Sequence, residues 1–315
     1  MLLVAPTLQA LGHQIAGRVF LVGQFGLRVD LAADVHHFGF VRTDLVQRGW
    51  QQWGVHVFVI PRQRKSILRH ILRGPHLLEN LPMSDLSAFP ITSQWPAKHP
   101  DRLQLYSMPT PNGVKVSIML EEIGLPYEAH RVAFDKNEQL TPEFLSLNPN
   151  NKIPAILDPQ GPGGKPLALF ESGAILVYLA DKTGKLMPSD PAARYGVLQW
   201  LMFQMGGIGP MFGQLGFFHK FAGKDYEDKR PRDRYVAESA RLLGVLEKQL
   251  GQHTWVAGAD YSIADIAIWP WASNLVGFYG AGELVQIERF PLVEKAIARF
   301  VERPAVAKGL TIPSA

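Results

Sequence analysis

The sequence predicts a small α/β domain followed by an all-helical domain, behind an N-terminal stretch of different composition. Three observations predict this. Between Leu103 and Gly184, short strand-like runs and runs of helical period follow one another in the order β-α-β-α-β-β-α, within the length of one small domain. From about residue 190 onward the sustained runs all repeat at about 3.6 residues, the helical period. Residues 1–82 hold eight of their nine basic residues as Arg and six of the ten His of the chain, and Met83 is the first Met after Met1. The expected organisation is an N-terminal extension at 1–82, a lead-in at 83–100, an α/β domain at 101–187 and a helical domain at 191–312.

The elements follow in order. LQLYSM (103–108) reads as a short strand. After the Pro-rich turn PTPNGVK (109–115), NGVKVSIMLEEIG sets Val114, Ile118, Leu120 and Ile123 on a helical stripe with Gly124 as the stop. PYEAHRVAF (126–134) alternates like a strand. TPEFLSLNP (141–149) is a short helix with Thr141 as N-cap and Pro142 at its first position. IPAILD and PLALF are two more strands around the turn-rich PQGPGGK (159–165), and ESGAILVYLADKTG (171–184) is an amphipathic helix ended by Gly184 and Pro188. Beyond the connector LMPSDPAA, helices are expected at RYGVLQWLMFQMGGIGPMF, RDRYVAESARLLGVLEKQLG, SIADIAIWPWASNLVG and FPLVEKAIARFVERP.

Composition narrows the function classes. With 47% hydrophobic and 19% charged residues in 315, a sizeable core is expected. No apolar run reaches the ~18 residues of a membrane-spanning helix. The chain has no Cys, which excludes a disulfide framework, a Cys metal site and a CxxC redox pair, but leaves room for a thiol brought by a ligand. Residues 1–82 carry nine Lys/Arg against four Asp/Glu, a balance of +5 that leaves −1 for residues 83–315. The main body therefore offers no argument for a nucleic-acid partner. The start MLLVAPTLQALGHQIAG lacks the basic n-region of a secretory signal. It reads either as a poor Arg-containing transit peptide or, the expectation favoured here, as sequence upstream of a start at Met83. VHVFVI (55–60) has local strand character.

A β-α-β-α-β-β-α unit with NKIPA opening its third strand, Glu-Ser starting the last helix and an all-helical domain following resembles the glutathione transferase family over residues 101–310. LYSMPTPNGVKV, NPNNKIPAILD, FESGAILVYLADKTG, QWLMFQMGGIGPMFGQ and YSIADIAIWPW together are similar to its bacterial Nu class, glutathione-dependent disulfide-bond oxidoreductases, and to a fungal nitrogen-regulatory relative. The resemblance implies a thioredoxin-like domain joined to the helical one, bound reduced or oxidised glutathione, no metal, a homodimer and a cytoplasmic location.

It also implies roles for residues. Glu171 and Ser172 open a helix whose free N–H groups favour an anion, here the α-carboxylate of the γ-glutamyl group, with Glu171 answering its ammonium; alone, Ser172 reads as an ordinary N-cap. Pro154 would be cis, so that Ile153 pairs strand-like with the glutathione backbone. Lys152 meets the glycine carboxylate or is a solvated lysine. Gln139 matches a glutathione-contacting Gln, although its neighbours NEQL depart from the family's Gly-Gly-Gln-Phe. Arg234 matches an Arg that holds a second glutathione. The thiol of glutathione, with a pKa of about 8.5, needs help to ionise at neutral pH. Thr110 and Asn112 supply hydrogen-bond donors at the first helix's N-terminus and are the expected catalytic pair, with Asn112 also expected to cap that helix. Tyr106 and Ser107 are expected to be packed rather than catalytic. Trp200, Trp269 and Trp271 are read as core. Ser262 and Asp265 form a capping-box signature with a structural role.

The expected activity is reduction of small disulfides by thiol–disulfide exchange, both thiols coming from glutathione. The alternatives are a conventional transferase conjugating electrophiles and, behind it, a non-catalytic glutathione-binding regulator, whose Asn/Gln-rich tail residues 1–82 do not resemble.

Overall fold

The computed structural model describes residues 17–20, 28–31 and 86–314. The chain divides into two units, Met1–Leu81 and Pro82–Ala315. In the first, β1 (Gly17–Phe20) and β2 (Arg28–Leu31) pair antiparallel, with Gly17 opposite Leu31. The strand character at 55–60 and the expected start at Met83 lie outside the described residues.

Among its described residues, the second unit opens with a 3-10 turn at Leu86–Ala88 and the short helix α1 (Ile91–Gln94) and then runs β3 (Leu103–Ser107), α2 (Gly113–Ile123), β4 (Tyr127–Arg131), α3 (Pro142–Leu147), β5 (Ala155–Asp158), β6 (Leu167–Phe170) and α4 (Ser172–Thr183). The sheet order is β4-β3-β5-β6, with β3 parallel to β4 and antiparallel to β5, and β5 antiparallel to β6. All five β3 residues are buried because both faces are covered. Leu103 and Leu105 enter the core beneath α2 and α4, while Tyr106 points the other way, into a cluster with Leu86, Ile91, Phe144 and Leu147. The lead-in supplies part of that second layer: Trp95 packs edge-on against Tyr106 at 5.8 Å and its indole donates to the Arg131 carbonyl at 3.1 Å.

Helix α2 carries more than the expected apolar stripe. Nine of its eleven residues are buried, because it lies between the sheet and the helical domain. The Ser117 hydroxyl donates to the Gly309 carbonyl at 2.7 Å, and Arg303 forks onto Glu122 at 2.7 and 2.9 Å. Gly124 ends the helix at φ 69°, a left-handed conformation glycine adopts without penalty.

The helical part comprises α5 (Pro191–Phe203), α6 (Gly209–His219), α7 (Arg230–Leu250), α8 (Ile263–Val276), α9 (Gly282–Val285), α10 (Pro291–Val301) and α11 (Pro304–Gly309). The run expected as one helix, RYGVLQWLMFQMGGIGPMF, is interrupted by a π-turn at Gln204–Ile208. Pro210 supplies no backbone donor, and Gly206-Gly207 hold helical geometry weakly, so the wider turn forms there. That turn places Gln204 and Met205 against α2 and α4. Ser262 caps α8 and Asp265 completes a reciprocal capping box. The Asp265 carboxylate also accepts from the Val256 amide and the Trp269 indole, each at 3.1 Å. Burial pushes its pKa up to about 6 against the pull of these hydrogen bonds.

Candidate active site

The loop between β3 and α2 folds on its own side chains. Thr110 accepts a 3.3 Å hydrogen bond from the Gly113 amide through its hydroxyl, and its carbonyl accepts from Val114 at 2.9 Å. Gly113 is required here, since a Cβ would sit 1.9 Å from the Met108 carbonyl oxygen. Thr110 therefore provides the side-chain cap that was expected of Asn112. Asn112 already has helical backbone angles, φ −84° and ψ −40°, and makes no capping bond with its side chain.

The Asn112 side chain is instead held from inside the molecule. Its Oδ1 accepts from Lys115 Nζ at 2.8 Å and from the Trp271 indole at 3.0 Å. Two donors on one oxygen fix the orientation of the amide and leave Nδ2 as its remaining donor. Both Thr110 and Asn112 are half-buried, at the edge of solvent.

Lys115 is fully buried, at 0% exposure. Its ammonium donates to Asn112, to Gln204 Oε1 at 2.7 Å and to the Ser172 hydroxyl at 3.3 Å, with Met205 Sδ at 3.8 Å. One lysine thus ties the N-terminus of α2 to the N-terminus of α4 and to the π-turn. Burial pushes its pKa down to about 7, opposed by the negative charge of Glu171.

Ser172 is the first residue of α4 and not its cap, as the ordinary reading of its position would have it; its hydroxyl faces Lys115. The cap position belongs to Glu171, whose backbone is strained at φ 71°, ψ 112° and whose side chain is exposed. A non-glycine residue in that region costs about 1–3 kcal/mol and is tolerated where the surroundings impose it, often at a ligand site. Ile153–Pro154 is cis. Among the described residues, neither the N–H nor the carbonyl of buried Ile153 has a hydrogen-bond partner, which leaves a short stretch of unsatisfied strand backbone.

The other expected residues lie apart from this network. Lys152 is exposed, and its carbonyl accepts from Asn148 at 2.6 Å. Gln139 sits on the turn Glu138–Leu140 with Oε1 buried and without a partner among the described residues. Arg234 lies on the exposed side of α7. No hydrogen bond links these three to Asn112, Lys115 or Ser172 among the described residues. Tyr106 and Ser107 are both at 0% exposure. Tyr106 stacks on His130 at 4.8 Å, and burial raises its pKa. Trp269 and Trp271 are in the core and Trp200 packs against it, but reading Trp271 as core alone missed its bond to Asn112. Sequence reasoning also missed Lys115 and Gln204. One signal was present: Lys115 stands three residues after Asn112 in an otherwise apolar helix, where the two side chains share a face. Among the described residues no group of His, Asp or Glu is arranged to hold a metal ion.

An open, almost wholly apolar cleft of about 650 Å³ adjoins this site. Leu169 and Val177 line it from β6 and α4, Leu198 and Met202 from α5, and Glu171 and Met205 belong to its wall. Met202 and Tyr195, both on α5, are 56% and 71% exposed.

Residues 101–181 match the family model for the glutathione S-transferase N-terminal domain, and residues 208–304 match that for the C-terminal domain. The chain is 43% identical over 209 residues to the disulfide-bond oxidoreductase YfcG of Escherichia coli, covering 66% of this chain and 94% of that protein. It is 42% identical to the disulfide-bond oxidoreductase YghU of the same organism, over 67% of this chain and 74% of the relative. Among solved structures, a glutathione transferase from Burkholderia graminis, with two glutathione molecules bound per subunit, is 73% identical at a TM-score of 0.73, covering 75% of this chain and 99% of that one. One from Pseudomonas putida, with one glutathione disulfide bound per subunit, is 70% identical at a TM-score of 0.72, covering 73% and 100%. With both domain models matched in order and relatives aligned over most of their length, the chain belongs to the glutathione S-transferase family.

Proposed function

We propose that this protein is a glutathione-dependent disulfide-bond oxidoreductase, which reduces small disulfides with thiols supplied by glutathione. The observation that carries the reading is the Asn112 amide, locked by two donors on its oxygen, at a helix N-terminus in a chain with no thiol of its own. Glutathione supplies the reacting sulfur and the electrons: two glutathione thiols become one disulfide while one substrate disulfide becomes two thiols.

The chain's part is to bind and to ionise. The amide of Asn112 donates to the sulfur and favours its charged form, aided by the Thr110 hydroxyl and by the N-terminal dipole of α2. The free N–H groups at the start of α4 take the γ-glutamyl carboxylate, and exposed Glu171 answers the ammonium. The unpaired backbone of Ile153 pairs with the peptide in strand fashion, and Lys152 reaches the glycine carboxylate. Gln139 adds a polar contact, and Arg234 holds a second glutathione. The fit is supported by the neighbours that carry glutathione or its disulfide and by relatives named disulfide-bond oxidoreductases.

The reading includes a homodimer, closed over the apolar cleft between β6, α4 and α5. It also places the protein in the cytoplasm, where glutathione is kept mainly reduced. Residues 101–187 and 191–312 act as the glutathione-binding and helical domains, with 83–100 as a lead-in.

Parallel assays with glutathione against a small model disulfide and against an aryl halide test the activity. Disulfide reduction is expected to dominate. Conjugation without disulfide reduction would move the assignment to the conventional transferases, and glutathione binding without either would leave a regulator.

A further inference from the structure

Asn112 and Ser172, on two different helices, meet on one buried cation. Lys115 Nζ lies 2.8 Å from Asn112 Oδ1, 3.3 Å from Ser172 Oγ and 2.7 Å from Gln204 Oε1. Three acceptors around three N–H bonds is the complement of a charged ammonium. Among the described residues no carboxylate is hydrogen-bonded to it, an unusual situation for a fully buried lysine. A positive charge placed there without a bonded counter-ion is available to an anion arriving at the surface just beyond Asn112.

We infer that Lys115 is a positioning residue of the reaction: its ammonium holds the Asn112 amide with Nδ2 outward and supplies the buried positive charge that favours the glutathione thiolate. The inference rests on the glutathione-dependent function proposed above. Lys115 does not touch the sulfur; it acts through Asn112. Gln204 acts one step further back, by holding Lys115, and the π-turn exists in the right place to present it. Trp271 donates to the same oxygen from α8, so the amide cannot turn over without losing two hydrogen bonds.

The charge state of the network is set by few groups. Glu171, at the start of α4, is the charged residue acting on Lys115. Among the described residues the other groups facing Lys115 are uncharged: Asn112 on its own helix, Ser172 on α4, and Gln204 and Met205 on the π-turn. A thiolate bound at Asn112 adds a second negative charge and keeps the ammonium protonated, while the ammonium keeps the thiol ionised; each lowers the cost of the other.

The test is an ultraviolet titration of the thiolate of protein-bound glutathione in the wild type, Lys115→Met and Gln204→Glu, beside the affinity of each for S-methylglutathione, which has no ionisable thiol. Lys115→Met removes the charge, whereas Gln204→Glu keeps the shape of the network and neutralises the lysine, so the second variant carries the test where the first does not fold. The expected result is a bound-thiol pKa raised by about one unit or more in either folded variant, with S-methylglutathione affinity changed less than about threefold. An unchanged thiol pKa in a folded variant would overturn the inference and leave Lys115 a structural residue. A wild-type protein that binds neither glutathione nor S-methylglutathione would remove the functional reading and this inference together.

Discussion

Lys115 and Thr110 show how much of the site is decided by single side chains. The folded-state pKa of Lys115, pushed down to about 7 by burial, lies below the ~10.4 of an exposed lysine. The unfolded chain therefore binds more protons between these two values, and stability rises with pH across that window. Below about 7 the full cost of burying the charge is present. Denaturant unfolding of the wild type is predicted to gain stability from neutral pH toward about pH 10 relative to Lys115→Met; parallel curves for the two proteins would show that Lys115 is not depressed. At Thr110 the hydroxyl caps α2 through Gly113, so Thr110→Ala should cost about 1 kcal/mol of stability and lower disulfide reduction. Thr110→Ser should restore both. PTPNGVK singled out Asn112 as a candidate, and the structure sets it in the network with Lys115 and Trp271, but the side-chain cap expected of it is not formed. A capping residue needs extended backbone, and Asn112 is already helical. Its real partners were invisible locally, because Trp271 lies 159 residues away, while the Lys115 beside it is held by Ser172 and Gln204 across separations of 57 and 89 residues.

At the scale of elements, periodicity and punctuation carried most of the information. The order β-α-β-α-β-β-α was readable because each strand is short and each helix ends on a recognisable stop such as Gly124. Thr141 caps α3 as its sequence signature indicates, accepting from Phe144 at 3.3 Å. The π-turn between α5 and α6 was hidden inside one apparent helical run, since a wider turn shifts the periodicity by only one residue. The α8 capping box has a consequence for the site. Asp265 holds the start of the helix whose third turn presents Trp271 to Asn112. Ser262→Ala is expected to cost about 1 kcal/mol, and Asp265→Ala about 3 kcal/mol or more because it strips several buried donors of their partner. Urea unfolding measures both, and equal, negligible effects would mean that the box is ornamental.

For the whole molecule, the apolar cleft lined by exposed Met202, with exposed Tyr195 two turns earlier on the same helix, is the feature that a monomer would not bury. The cleft shares Glu171, Gly173 and Met205 with the region of the site, so a partner seated there would stiffen the start of α4. Met202→Glu is predicted to convert a dimer to a monomer in analytical ultracentrifugation and to weaken glutathione binding by about tenfold; a monomeric wild type would contradict the dimer. The cleft was not legible in the sequence, because its walls come from β6, α4, α5 and the π-turn, and no one of these segments carries more than a few of its apolar side chains.

The central claim is that Asn112 ionises a borrowed thiol, and Asn112→Asp tests it most directly. Aspartate keeps an oxygen for Lys115 and Trp271, removes the Nδ2 donor and adds a negative charge beside the sulfur. The measurement is kcat/KM for reduction of a small disulfide by glutathione in wild type and variant, with S-methylglutathione affinity as the control for folding and binding. We predict a fall of about 100-fold or more with the control affinity retained. A folded Asn112→Asp protein working within about twofold of wild type would contradict the account and place the activating group elsewhere.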